Sequence, residues 1–298
     1  MRSKALIEQA LESALTRSEV QGCPPRLAAA VRHAVFPGGA RIRPQLCMAV
    51  AMACGNDDPR LAMSAACAIE LLHCASLVHD DLPCFDNAAT RRGQPSVQAA
   101  YGERLAVLAG DALIVMAFQQ FAAGDARHCE RVAPVLGTVV QGVGMPTGIV
   151  AGQAWECEPR VSLAEYQRAK TGALFTAATR CGALAAGARA EPWAYLGDWL
   201  GEAYQVADDI RDVIADPRLL GKPVGQDATH GRPSAAAELG LEGAVEHFDR
   251  LVAHAIASIP PCAGAPQLRQ LVQMESERLV PLSMTTTAGV VRRPVVLA

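Results

Sequence analysis

Aromatic side chains are scarce: Phe, Tyr and Trp together make up 4% of the 298 residues. Sheets draw on aromatic and β-branched side chains, so a chain poor in rings and rich in alanine favours packed helices. Charge of one sign is not in excess either. The formal net charge is −3 with 19% charged residues, which suits neither a nucleic-acid binder nor a disordered chain. Ten cysteines are scattered without a single C-x-x-C. A chain this long needs no covalent staples, so free thiols in a reducing cytoplasm are expected. Apolar runs reach useful lengths only with polar residues embedded in them, and no transmembrane span is read. The N-terminus "MRSKALIEQALESALTR" is amphipathic and carries acids, unlike a secretory signal. No Walker-type glycine loop and no G-x-G-x-x-G occurs, so phosphoryl transfer from a nucleotide is not indicated.

What the chain does have is 51% hydrophobic residues arranged with helical periodicity. The pattern covers roughly 3–20, 26–36, 42–54, 60–81, 95–123, 128–145, 163–188, 192–215 and 241–256, and no alternating strand pattern competes with it. The breaks carry Gly or Pro, as in "FPGGARIRP", "CGNDDPR" and "GMPTG". No repeat, linker or low-complexity block divides the chain. The expectation is one all-α domain over 1–298, with about the last dozen residues, "TTAGVVRRPVVLA", irregular and frayed.

The stretch "SLVHDDLPCFDNAATRRGQPS" breaks the apolar pattern with acids and arginines. Upstream, 61–81 is almost wholly apolar, so its helix should be buried on most sides. Its polar exceptions Glu70, His73, Ser76 and Asp80 are spaced 3, 3 and 4, which puts them on one helical face. Singly, Glu70 and His73 read as core groups satisfied by local hydrogen bonds. As a stripe ending in two aspartates they read as the lining of a cavity.

Pro83 disfavours helical geometry at Leu82, which leaves Asp80 and Asp81 near a helix C-terminus, whose partial charge repels them. With Asp86 close by, these carboxylates cost free energy unless a cation compensates. Hard oxygen donors without a nearby Cys–His set point to Mg²⁺.

A second acidic group follows. Leu196, Leu200, Ala203, Ala207, Ile210 and Ile214 form a helical core stripe, bordered by Asp208 and Asp212 one turn apart, with Gln205 a turn earlier. Alone this is a solvated helix edge; paired with the first group it is the opposite wall of one metal site. Arg91 and Arg92 follow the first cluster and Lys222 the second. Acids flanked by such cations match a diphosphate held through bridging Mg²⁺, since Arg grips phosphate through its planar fork. The diphosphate is then a leaving group, with metal stabilising the charge it gains.

These residues resemble the trans-isoprenyl diphosphate synthases, the short-chain polyprenyl synthases, over roughly 26–285. The motifs, in the family's order, are "GGARIRP" at 38–44, "DDLPCFD" followed by "RRG", "AKTGAL" at 169–174, "YQVADDIRD" and "LGKPVGQD" at 220–227. The resemblance implies a bundle of about ten or more helices around a central cavity, of the isoprenoid synthase type. It implies Mg²⁺ held by Asp80, Asp81 and Asp86 with Asp208, Asp209 and Asp212. Arg91, Lys170, Thr171, Gln205, Lys222 and Arg232 would hold the allylic diphosphate (dimethylallyl, geranyl or farnesyl). Arg43, His73 and Arg92 would bind isopentenyl diphosphate. Among these, Asp80, Asp81, Asp86, Lys170, Asp208 and Lys222 would carry the catalysis. The implied reaction is ionisation, condensation and elimination, and family members are commonly homodimers.

Two departures stand out. Ala40 replaces the family's usual lysine after Gly-Gly, which removes a charge-assisted contact worth roughly 1.5–3 kcal/mol unless Arg41 compensates. Arg232 stands where a second lysine is common and keeps the charge. Ala75 and Ser76 lie about one turn, 5.4 Å, below Asp80, where small side chains leave room for a longer tail and an aromatic would stop growth. The expected product is therefore geranylgeranyl diphosphate (C20), as in synthases of carotenoid and bacteriochlorophyll pathways, with farnesyl diphosphate (C15) as the alternative and Leu71 or Leu72 as candidate floors deeper down. A non-catalytic subunit of a heteromeric synthase would have no use for two complete aspartate motifs. A class I terpene cyclase would normally replace the second one.

Overall fold

The computed structural model describes residues 2–36, 39–122, 126–159, 163–214 and 234–292. Over the described residues it is all-α, as the periodicity predicts, apart from one ribbon of two two-residue strands. In chain order the first helices are α1 (Arg2–Ser18), α2 (Pro25–Val35), α3 (Ile42–Ala53) and α4 (Pro59–Asp80). The ribbon β1 (Thr90–Arg91) and β2 (Gln94–Pro95) precedes α5 (Val97–Tyr101), α6 (Glu103–Ala122), α7 (Val132–Val143), α8 (Ile149–Ala154), α9 (Leu163–Gln167), α10 (Ala173–Ala185) and α11 (Glu191–Ile214). After the interval to residue 234 come α12 (Ala235–Ala257), α13 (Ala265–Leu279) and α14 (Leu282–Thr287).

α4 is the axial helix, packed against α1, α2, α3, α6, α7, α8 and α10. Its start is fixed by Asp58, whose Oδ1 accepts from the Leu61 N–H at 3.1 Å while Oδ2 accepts from the His128 N–H at 2.9 Å, and by Pro59 in the first turn. By length and composition α4 and α6 are each apolar enough to cross a membrane. α4 spends that hydropathy inside the bundle, with Ala65, Ile69, Leu71 and Leu72 buried. α6 leaves Val107, Leu108 and Val115 exposed on its outer side.

α11 lies against α10 and the turn that leads into it at backbone distance because it presents glycines there. A Cβ on Gly197 would stand 2.4 Å from Thr176 Cα, and one on Gly201 would stand 2.6 Å from Gly172 Cα.

Glu70 belongs to the core rather than to an open cavity wall. Its Oε1 accepts from Arg41 Nη1 at 2.6 Å; Arg41 also donates to Glu8 and to the Val35 carbonyl. Both side chains of the Glu70–Arg41 pair are almost fully enclosed. Glu70→Ala leaves a buried guanidinium with only the part-exposed Glu8 to balance its charge, and should cost about 3–5 kcal/mol. The check is a urea midpoint that falls with unchanged slope.

Several boundaries differ from the sequence reading. The expected helix 95–123 is cut at Gly102, whose φ of 87° a Cβ would resist. The expected helix 163–188 contains a π-helical turn over Arg168–Gly172. α13 escaped the reading because polar Ser276 interrupts its buried stripe of Leu268, Val272 and Leu279. Within the stretch expected to fray, Arg292 is buried, donating to Asp249 Oδ1 at 2.8 Å and to the Val280 carbonyl, while 293–298 lie outside the described residues.

Candidate active site

The first acidic group sits at the C-terminal end of α4. Asp80 and Asp81 are buried, and the Asp86 N–H donates to the Asp80 carbonyl at 2.9 Å, folding the "DDLPCFD" loop back on the helix. Burial pushes both carboxyls above their ordinary range. For Asp80 the charge of Lys170 and a hydrogen bond from Gln153 oppose the shift, while Asp86 and Glu156 add to it. For Asp81 the opposing group is Arg91, which chelates Oδ1 through Nε at 3.0 Å and Nη2 at 2.5 Å. Arg91 and Arg92 are aimed by the ribbon, whose turn residues Arg92 and Gly93 both have positive φ, 54° and 75°.

A second locus lies on the next face of α4. Arg43 rests its guanidinium on the ring of Phe175, 4.6 Å from the centroid, and near Tyr204. Its Nε is buried without a hydrogen-bond partner, and so is His73 Nδ1. Arg92 lies against Gly39, where a Cβ would stand 3.1 Å from the guanidinium carbon. Burial first, then the charges of Arg43, Arg92, Arg91 and Arg41, hold the His73 pKa well below its ordinary value. His73 is therefore neutral in the folded protein at neutral pH. As pH falls below about 6.5, the unfolded chain takes up a proton there that the folded state refuses, so stability drops. His73→Gln should flatten that part of a melting-temperature profile between neutral and mildly acidic pH.

The third group runs across the π-helical turn to α11. Thr171 Oγ1 donates to Gln205 Oε1 at 2.9 Å, Gln205 Nε2 donates to Asp209 Oδ1 at 2.9 Å, and Asp209 Oδ2 accepts from the Ala235 N–H at 2.8 Å. Asp208 pairs with Arg211 at 3.0 Å, and Asp212 is buried beside the stripe. The Thr171–Gln205 bond ties this wall to Lys170, whose charge reaches Asp80. π-Turns within α-helices recur at functional sites, and this one carries both Lys170 and Thr171.

A recess of about 400 Å³ opens between α2, α4 and the ribbon, lined by Cys74, Leu77, Asp81, Arg91 and Arg92 among others. A larger one of about 500 Å³ lies between α3, α11 and α12–α13 and has no aspartate in its lining. Of the two, only the smaller recess is lined by groups of the first acidic cluster, Asp81, Arg91 and Arg92.

A family model described as polyprenyl synthetase matches residues 24–260. The chain belongs to the polyprenyl synthetase family. A geranylgeranyl diphosphate synthase of Cereibacter sphaeroides is 52% identical over 275 residues, covering 92% of this chain and 96% of that one. A geranylgeranyl diphosphate synthase of Rhodobacter capsulatus is 50% identical over 283 residues, covering 95% and 98%. A crystal structure of a Helicobacter pylori geranyltransferase complexed with magnesium and isoprenyl diphosphate matches with a TM-score of 0.78 at 27% identity, over 92% of this chain and 97% of that one.

In this polyprenyl synthetase the suggested compensation for Ala40 does not occur. Arg41 has left-handed backbone geometry, and its guanidinium is committed to Glu8, Glu70 and Val35, which turns it into the core. Lys222 and Arg232 lie outside the described residues. Ala75 and Ser76 are buried, and the Ser76 carbonyl accepts from Gln153 at 3.2 Å, on the side Asp80 shares.

Sequence reasoning missed Gln153, which donates at 2.9 Å to Asp80 Oδ1. It also missed Glu156 and Tyr166, which contact Lys170. Their only signal was polarity within "AGQAWECE" and its neighbourhood.

Among the described residues no three His, Cys, Asp or Glu side chains converge closely enough to hold an ion unaided. The carboxylates of Asp80 and Asp81, buried at the end of α4, are hard oxygen donors of the type Mg²⁺ takes one or two of, with water and phosphate oxygens completing its shell.

Proposed function

We propose that the protein is a Mg²⁺-dependent short-chain prenyltransferase that condenses isopentenyl diphosphate with allylic diphosphates to give geranylgeranyl diphosphate. The observation that carries this reading is the pair of enclosed, unpartnered nitrogens on Arg43 and His73, set among buried guanidiniums beside paired aspartates. Enclosed polar nitrogens without hydrogen-bond partners are costly, and an anion such as a diphosphate supplies the acceptor that the Arg43 guanidinium lacks. The near full-length likeness to two geranylgeranyl diphosphate synthases supports the same product.

Asp80, Asp81 and Asp86 on one wall, with Asp208, Asp209 and Asp212 on the other, would hold the metal. Bound there, the ion supplies neutralisation of the charge that grows on the departing diphosphate. Lys170, Thr171, Gln205 and Arg91, with Lys222 and Arg232, orient the allylic diphosphate. Arg43, His73 and Arg92 hold isopentenyl diphosphate so that its double bond faces the allylic carbon. The apolar walls exclude water that would trap the cation. The proton leaves to the departed diphosphate.

The exposed apolar residues Val107, Leu108 and Val115 on α6 support a homodimer through the outer side of that helix. Light scattering should give twice the chain mass.

The deciding assay combines purified protein, Mg²⁺, labelled isopentenyl diphosphate and dimethylallyl, geranyl or farnesyl diphosphate. Extraction of labelled C20 diphosphate is the expected result. No incorporation from any primer would overturn the reading.

A further inference from the structure

Lys170 does not hang free over the acids. Its Nζ donates to Glu156 Oε1 and lies 5.6 Å from the centroid of the Tyr166 ring. The Tyr166 hydroxyl donates to the same Glu156 oxygen at 2.6 Å. Two donors thus converge on one carboxylate atom, and the Glu156 and Lys170 side chains are each 19% exposed.

Glu156 sits in the single turn Trp155–Cys157 that continues α8. That short helix is clamped on both sides of the site. Gln153 fixes it to Asp80. Gly152 is pressed onto the π-turn, where a Cβ would stand 2.3 Å from the Lys170 backbone nitrogen. The Glu156 carboxylate therefore has a fixed place relative to both Asp80 and Lys170.

We propose that Glu156, steadied by Tyr166, is a positioning residue that parks the Lys170 ammonium beside the diphosphate site and yields it to the incoming allylic diphosphate. This rests on the prenyltransferase reading above. Burial pulls the Lys170 ammonium towards neutrality, but the charges of Asp80 and Glu156 and the bond to Glu156 outweigh it and keep the group protonated. A flexible lysine stem with only Asp80 in reach would settle on that carboxylate and occupy the oxygens needed for metal. Glu156 offers a competing, more exposed anchor. A diphosphate carries several charges, so it wins the ammonium from one partly hydrated carboxylate. The exchange moves an ion pair and breaks no covalent bond.

This role separates binding from turnover, which a merely structural glutamate would not do. Glu156→Gln removes a negative charge beside a polyanion site, so inorganic diphosphate titrated in a calorimeter without Mg²⁺, where no metal competes with Lys170 for Asp80, should bind about three- to tenfold more tightly. In the coupled assay kcat should fall on the order of tenfold as Lys170 drops onto Asp80, with KM for isopentenyl diphosphate unchanged. Glu156→Asp, which keeps the charge, should recover most of kcat, and Tyr166→Phe should move both readouts the same way by a smaller factor. Diphosphate binding that is unchanged or weaker in Glu156→Gln overturns the proposal, as does failure of Glu156→Asp to recover kcat. Calorimetry reads the parking role without turnover. An inactive wild-type enzyme that still shows tighter diphosphate binding in Glu156→Gln would thus overturn the prenyltransferase reading and uphold the Glu156 role.

Discussion

Asp80→Asn should abolish condensation while leaving the protein at least as thermally stable as the parent. The loss should be on the order of 10²–10³ in kcat, the scale found when one preorganised group opposite developing charge is removed. The stability half follows from where the carboxylate sits. It is buried at the C-terminal end of α4, where the helix dipole is unfavourable to an anion, and Asp86 and Glu156 add repulsion. Asparagine has nearly the same shape, can still accept from Gln153 and carries no charge. Lys170 keeps its bond to Glu156. The variant thus separates fold from function: a melting scan at or above the parental midpoint together with an inactive assay is the expected pair. Retained turnover would show that Asp80 is not a metal ligand, and a collapsed midpoint would show that the carboxylate is structural.

Ser76→Phe should shorten the product from C20 to C15. Ser76 lies one helical turn before Asp80 and is buried, and its hydroxyl donates only locally, to the His73 carbonyl at 2.9 Å. In the proposed reading, the isoprenoid tail of a diphosphate held at Asp80 runs past this turn of α4. A phenyl ring there fills the space a fourth isoprene unit needs, and overpacking should cost about 1–3 kcal/mol of stability. Product analysis should show farnesyl diphosphate accumulating from dimethylallyl or geranyl primer, and a farnesyl primer left unextended. Ala75→Phe should act in the same direction. Unchanged C20 product from both variants would mean that the tail takes another path and that the length limit lies elsewhere.

The helical content and its main interruptions were legible because buried helices write a 3.6-residue pattern into the chain, and Gly and Pro punctuate it. The candidate acids were legible for a similar reason: charge is expensive inside an apolar helix, so Asp80 and Asp81 stand out against their background. The pair Glu70 and Arg41 was only half readable. Glu70 alone is a core polar group in need of a partner, but nothing local says that the partner comes from 29 residues upstream. Arg41, placed beside the Ala40 departure, invited a functional role that the core pairing removes. The π-turn left no periodic trace because one register slip within a helix barely disturbs the apolar stripe.

The sequence by itself determined the class of fold, the position of the acid-rich loop and the chemistry its donors can support, since hydrophobic period, helix-breaking residues and ligand hardness are local properties. Only the tertiary structure decided which charges meet. It aimed Arg91 at Asp81, locked Arg41 to Glu70, rested Arg43 on Phe175 and held Lys170 on Glu156. Each of those pairings joins residues from different elements. Long side chains such as Arg and Lys reach several partners at similar cost, so the choice among them falls to whichever backbone the packing brings near.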